Sequence, residues 1–265
     1  MAPRAKQLQH APFTEFLPEA IYFRVAQMPA DATYPQHSHA WGEFVYAYKG
    51  VMEVKVAERH YLAPPQYGIW LPPKVEHTGQ NRYETVHSSL YIAGEHCGLL
   101  PAEACALAVS PLVRAILDQL QLQPPASPRT PSEERLLRVL VDQLGSARRV
   151  GSYLPASEDP VLGRVLHELE QNPADNRPLP ALAHAANTTE RTLIRRCQRD
   201  LGMTLMEWRQ RLRVVRAMPR LEAGHSVESI ALDLGYASAS AFIAMFRRLM
   251  DETPDEYRRR VRAKG

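Results

Sequence analysis

Leu179-Pro-Ala-Leu-Ala-His-Ala-Ala186, Asn187-Thr188 and Thr189-Glu-Arg-Thr-Leu-Ile-Arg-Arg-Cys-Gln-Arg199 read in succession as an apolar helix, a tight turn and a second, basic helix. The same plan returns downstream, in Val227-Glu-Ser-Ile-Ala-Leu-Asp-Leu234, Gly235-Tyr-Ala237 and Ser238-Ala-Ser-Ala-Phe-Ile-Ala-Met-Phe-Arg-Arg248. A helix-turn-helix unit seats its second helix in the major groove of DNA. Two in tandem, at about 179–200 and 227–249, predict a reader of double-stranded DNA.

Between the units a helix is expected from about Leu205 to Glu222. Eighteen residues at about 1.5 Å each span about 27 Å, approaching the ~34 Å between successive major grooves on one face of a duplex. Gly202 stands where the first reading helix should stop. Thr204-Leu-Met-Glu207 and Thr253-Pro-Asp-Glu256 have capping-box form. Pro219 falls inside the linking helix, where proline costs about 3 kcal/mol and a kink is expected.

In the first reading helix Arg191 and Arg195 lie four apart on one exposed face and are expected to meet bases. Arg196 and Arg199 lie to the side, where phosphate contact is natural, and Thr189 and Thr192 complete the candidate surface. In the second, Ser238 is an N-cap, Ser240, Ile243 and Ala244 face outward, and Arg247 and Arg248 suit phosphates. Small and apolar side chains touch thymine methyls but offer few hydrogen bonds, so base discrimination is expected mainly from the first unit.

Charge divides the chain in the same way. Residues 161–265 hold 18 Arg and Lys against 13 Asp and Glu, and 17 of the 18 are arginine; residues 1–160 hold 14 against 16. Guanidinium suits bidentate phosphate and guanine contacts, so the C-terminal part is the expected polyanion binder. Cys97, Cys105 and Cys197 show no metal-type pairing and read as reduced thiols. No apolar leader follows Met1, and no run approaches the ~18 apolar residues of a membrane span. A cytoplasmic protein with no membrane partner is expected.

The stretch beginning at Ser226, SVESIALDLGYASASAFIAMFRRLMDETPDEYRR, resembles the C-terminal signature of the AraC/XylS family of bacterial transcriptional regulators. TERTLIRRCQRDLGMTLMEWRQRLR, from Thr189, is similar to the first helix-turn-helix of that family and the start of its linking helix. The resemblance implies two recognition helices on one monomer and an N-terminal domain sensing an effector. It also implies homodimerisation and, for an activator, contact with RNA polymerase. Ala244 falls where some members place a long base-reading side chain.

Upstream, residues from about 20 to 96 read as short strands punctuated by Gly50, Pro64-Pro65, Gly68 and Pro72-Pro73, the texture of a small barrel or sandwich. Helical periodicity follows in Pro111–Leu122 and in 133–144, across a loop holding Pro124, Pro125, Pro128 and Pro131. These helices either dimerise or pack under the barrel, with the first favoured. Residues 145–160 read as a linker. The expected division is a 1–100 effector-binding domain, a 101–150 helical dimerisation and linker region, and a 156–262 all-α DNA-binding domain.

His37-Ser-His39, Glu43 and Gly50 resemble the first metal motif of cupins, and Pro72-Pro-Lys-Val-Glu-His77 the second, with Lys74 where glycine is usual. The resemblance implies a jelly-roll barrel whose ligands are His37, His39, Glu43 and His77. A straight strand would carry Glu43 about 13 Å beyond His39, so the chain must turn at residues 40–42, with Gly42 easing the turn. Imidazoles and one carboxylate suit Zn, Ni, Fe, Mn or Cu without choosing among them. The same residues also read as ordinary hydrogen-bonding groups in an organic-effector pocket. His60, His87 and His96 lack ligand spacing and read as non-ligands. Trp41, Tyr46, Tyr48 and Trp70, with Tyr67 and Tyr91, read as pocket lining or as plain core.

Two functions follow. The leading one is a DNA-binding transcriptional regulator whose barrel senses a small molecule or metal. The alternative is a metal-dependent cupin enzyme, a dioxygenase or isomerase, with a DNA-binding tail, against which the tandem readers argue.

Overall fold

The computed structural model describes residues 7–9, 11–57, 59–81, 84–125 and 129–262, in two units, Met1–Tyr153 and Leu154–Gly265. The N-terminal stretch read for a leader and Pro128 of the proline-rich loop lie outside the described residues.

Alternating apolar residues build the strands of the first unit. They are β1 (Gln7–Leu8), β2 (Ile21–Met28), β3 (Ala32–His37), β4 (Gly42–Ala47), β5 (Met52–Val56), β6 (Arg59–Ala63), β7 (Tyr67–Leu71), β8 (His77–Gln80), β9 (Thr85–Ile92), β10 (Cys105–Ala108) and β11 (Arg149–Val150). One sheet runs β1-β3-β8-β5-β6 and the other β11-β10-β7-β4-β9-β2, antiparallel apart from the β1–β3 pair. This is the β-rich, two-sheet domain expected.

Strand parity sorts the side chains. On β4, Val45 and Ala47 pack with Met52, Val54, Ile69 and Leu71 in a core that joins the two sheets. Phe44, Tyr46 and Tyr48 face the other way. They pack with Trp70, Leu90 and Ile92 against α1 (Pro111–Leu122) and α2 (Pro131–Gly145). Tyr48 Oη donates to Leu117 O at 2.8 Å and Trp70 Nε1 to Pro101 O at 2.8 Å, satisfying both polar tips within this core. Tyr46, Tyr48 and Trp70 are therefore core residues on the helix side of the sheet. Their expected place in the effector pocket is corrected.

The expected separate 101–150 region is also corrected. β10 pairs with β7, and β11, after the helices, pairs with β10, so the helical hairpin belongs to the first unit. Leu112, Leu122 and Val139 remain exposed on these two helices.

Gly42 has a reason the sequence did not show. A Cβ there would lie 2.1 Å from Trp70 Cη2, so close approach of the indole, rather than turn freedom, requires glycine.

The second unit is all helix: α3 (Pro160–Gln171), α4 (Leu179–Ala185), α5 (Glu190–Leu201), α6 (Leu205–Glu222), α7 (Val227–Asp233), α8 (Ala239–Met250) and α9 (Pro254–Arg262). Thr189, Thr204, Ser226 and Ser238 cap α5, α6, α7 and α8 through their side-chain oxygens. Gly202 ends α5 at φ 67°. Thr253 and Glu256 form a reciprocal capping box on α9. α6 continues through Pro219 to Glu222, so the proline does not terminate it.

Candidate functional site

A cavity of about 40 Å³ in the first unit, open to solvent at its mouth, gathers His37, His39, Glu43 and His77. His37 closes β3 and pairs directly with His77, which opens β8, after a register shift between Tyr34 and His37. The chain then turns between β3 and β4, as expected, and returns Glu43 to His39. Lys74, at the usual glycine position, adopts φ 66° and donates its backbone N–H to His39 O at 2.7 Å. The tight turn is thus kept with lysine and ties the His39 and His77 segments together.

Each imidazole is oriented by the backbone. Nδ1 of His37 donates to Pro35 O at 2.7 Å, that of His39 to Trp41 O at 2.7 Å, and that of His77 to Val75 O at 2.9 Å. A carbonyl can only accept, so each Nδ1 carries its proton and each ring, when neutral, would offer its lone pair at Nε2. One nitrogen from each ring falls within 4.8 Å of the others. Glu43 Oε2 stands 3.2 Å from His39 Nε2 and 3.9 Å from His77 Nε2. Burial works to raise the Glu43 carboxyl, but hydrogen bonds and charge from His39, His77 and Ser89 prevail and hold it at about 2. Burial works to lower His39, and the Glu43 carboxylate overcomes it, raising the imidazole; His77 stays lowered by burial. Three backbone-oriented imidazoles converging beside an ionised carboxylate could serve as the donor set for a divalent transition metal. Without a metal, the same geometry is a buried His39–Glu43 ion pair.

Among the expected pocket aromatics Trp41 reaches the cavity, stacked on His39 with centroids 5.3 Å apart, and so does Tyr91. Sequence reading missed Phe13, Tyr34 and His87, which also line it. The signal for His87 was parity. On β9, His87, Ser89 and Tyr91 share the cavity face, while Leu90 and Ile92 turn to the helix-side core.

In the second unit the exposed face of α5 carries Arg191, Ile194, Arg195 and Gln198, and Leu193 and Cys197 are buried as expected. Arg191 and Arg195 have no carboxylate partner among the described residues. Arg196 and Arg199 are placed otherwise: Arg196 Nη1 lies 2.9 Å from Asp159 Oδ1, and Arg199 bridges Asp159 and Asp200. Asp159 also caps α3 through Val161 and Leu162, so these arginines anchor α5 to α3. The Thr189 hydroxyl is engaged at the cap with Thr192 N. On α8, Ser240, Ala244 and Arg247 are exposed, Ile243 is half-buried, and Arg248 donates to Gln210 Oε1 at 2.6 Å.

Two arginines of α6 are buried altogether. Arg213 donates from Nε to Pro173 O at 2.8 Å and from Nη2 to Asn176 Oδ1 at 2.7 Å and Asp175 O at 3.2 Å. It also lies over the Tyr236 ring at 5.0 Å. Arg209 Nη1 donates to Asp175 O and Arg177 O at 3.1 and 3.0 Å. Asn176 in turn donates to Gly235 O in the turn of the second helix-turn-helix. The loop before the first helix-turn-helix, the linking helix α6 and the turn of the second helix-turn-helix are thereby locked together. The arginine excess is partly structural.

Residues 21–154 match the profile of an AraC-like ligand binding domain and residues 182–260 that of a helix-turn-helix domain. Over 238 residues, 90% of this chain and 87% of its relative, the sequence is 29% identical to the HTH-type transcriptional regulator NimR of Escherichia coli (strain K12). A putative AraC-like transcription regulator of Streptomyces lividans is 32% identical over 42% of this chain and 36% of its own length. Among solved structures, that of ToxT from Vibrio cholerae aligns over 91% of this chain and 99% of its own, at 12% identity and a TM-score of 0.39. The NimR and Streptomyces lividans relatives are transcriptional regulators by name, in line with the leading of the two functions expected. With one profile spanning just over half the chain and the other its paired readers, the protein belongs to the AraC family of DNA-binding transcriptional regulators, with an N-terminal ligand-binding domain.

Proposed function

We propose that the cavity of the first unit is the effector site, that His37, His39, Glu43 and His77 hold a divalent transition metal (Zn, Ni, Fe or Mn) there, and that occupancy governs promoter binding by α5 and α8. Regulators of this family bind double-stranded DNA through the helix-turn-helix domain and sense small molecules. The observation that carries the metal reading is the convergence of three Nε2 lone pairs, each fixed by an Nδ1–H bond to a backbone carbonyl, beside the Glu43 carboxylate. A metal held by these residues would supply a Lewis-acidic centre beside the cavity. Arg191 and Arg195 read bases and Arg247 meets a phosphate. The exposed apolar residues Leu112 and Leu122 of α1 and Val139 of α2 support a homodimer. In an activator, contact with RNA polymerase is also expected. Among the described residues no helix is long and apolar enough to cross a membrane, which accords with a cytoplasmic place of work.

The effector must bind one conformational state better than the other to shift DNA affinity. The test is metal content of tag-free, chelator-washed protein reloaded with each metal, beside His77→Ala, with promoter affinity measured in the same samples. About one metal per chain, lost in the variant, and a changed affinity on loading are expected. A protein that stays metal-free after every reloading refutes the metal reading, leaving the His39–Glu43 ion pair within an organic-effector cavity.

A further inference from the structure

We infer that His87 recognises the polar group of a neutral, planar aromatic effector bound in the cavity beside the histidine–carboxylate cluster; this rests on reading that cavity as the effector site. His87 sits on β9 opposite Ala47 of β4 and lines the cavity, yet only 3% of it is exposed. Its Nδ1 is buried and has no hydrogen-bond partner among the described residues. Burial pushes this imidazole down to about 4, so at neutral pH it offers one N–H and one lone pair. A buried polar group without a partner is destabilising, and a ligand that supplies the missing bond gains what the apo protein lacks.

The surroundings narrow the ligand. The hydroxyls of Tyr34 and Tyr91 are engaged with Arg24, and Ser89 with Glu43. Beyond the cluster, the unpartnered buried polar atoms of the cavity residues are His87 Nδ1 and Trp41 Nε1. A sugar or other polyol would bury several hydroxyls without partners. Burying a charged ligand group in this cavity would be costly. The walls carry Phe13, Tyr34, Trp41 and Tyr91, with Met52 and Leu71 from the two sheets, and such rings favour a flat π-system meeting them edge-on or stacked. One aromatic ring with one or two neutral polar atoms satisfies all of these conditions.

Benzamide, toluene and cyclohexanecarboxamide separate the terms. The first has ring and polar group, the second lacks the polar group and the third lacks the aromatic ring. Binding to the full chain is read by thermal shift and by tryptophan fluorescence, Trp41 being the tryptophan that lines the cavity. The inference expects benzamide to bind wild type best and His87→Leu to weaken it about tenfold while leaving toluene unchanged. His87→Gln, which keeps a donor and an acceptor, is expected to retain part of the benzamide affinity and confirms the loss as chemical rather than a folding defect. Equal benzamide affinity in wild type and His87→Leu overturns the role of His87. Equal binding of cyclohexanecarboxamide, or no binding of benzamide, overturns the aromatic class. Promoter affinity with and without benzamide is scored separately. Binding through His87 with no effect on DNA leaves this inference standing and sinks control of the readers by the cavity.

Discussion

Arg213 and Arg195 carry the same charge in the same unit, and their truncation should have opposite consequences. Arg213 is 5% exposed and makes three hydrogen bonds to the loop at 173–176 while stacking on Tyr236. Hydrogen bonds of a charged group contribute about 1.5–3 kcal/mol each, but the three share one side chain and do not add. Two effects offset the loss in Arg213→Ala. Asp175 O keeps Arg209 at 3.1 Å, and Arg209, lowered by burial and by the Arg213 charge, is relieved of that repulsion. Pro173 O and Asn176 Oδ1 lose their arginine partner, so a net destabilisation of about 3 kcal/mol is expected. For a unit of this size that lowers the melting temperature by about 10 °C. Arg195→Ala, on an exposed face, should leave melting unchanged and relax base preference on promoter DNA. Calorimetry of the full chain, with promoter and random DNA titrated across salt, reads both effects. An unchanged melting temperature in Arg213→Ala would refute the structural assignment. An Arg195→Ala variant that keeps full discrimination between promoter and random DNA would refute the reading assignment.

Two further outcomes are expected. Lys74 at φ 66° is strained where glycine is not, so Lys74→Gly should stabilise the first unit by about 0.5–1 kcal/mol, read from its melting transition; a lower melting temperature would show that the side chain, not the turn, matters there. The Asp159 carboxyl is lowered by the backbone N–H of Leu162, then of Val161, and by Arg199 and Arg196, and Asp200 by Arg199 and Ser157. Folded values below the unfolded one of about 3.9 mean a contribution fully present above that pH and lost as pH falls through the lowered values. The second unit should therefore weaken in acid below about pH 4, and Asp159→Asn with Asp200→Asn should flatten that limb of its melting-temperature profile; an unchanged acid limb would count against the pairing.

The paired readers were legible in the sequence because everything defining them is local. Apolar spacing of 3.6, the caps Thr204 and Ser238 and the stop at Gly202 each act within a few residues, and the structure keeps all of them. The coming together of His37, His39, Glu43 and His77 was expected from their resemblance to the cupin motifs, and the turn at residues 40–42 and the pairing of β3 with β8 bring it about.

Other features depended on partners far along the chain. Parity established that Tyr46 and Tyr48 share a face opposite Glu43, but only packing of α1 and α2 on the sheet made that face a core rather than a pocket. Arg196 and Arg199 looked available for phosphate until α3 brought Asp159 to them. Arg213 was counted with the DNA-binding charges until the loop carbonyls at 173–175 enclosed it. His87 has no ligand spacing at all, and its place in the cavity comes from the pairing of β9 with β4. Sequence determines which side chains share a face, because backbone geometry repeats every two or 3.6 residues. What that face meets, and so whether a charge is spent inside the protein or offered to DNA, is decided only when distant segments pack against it.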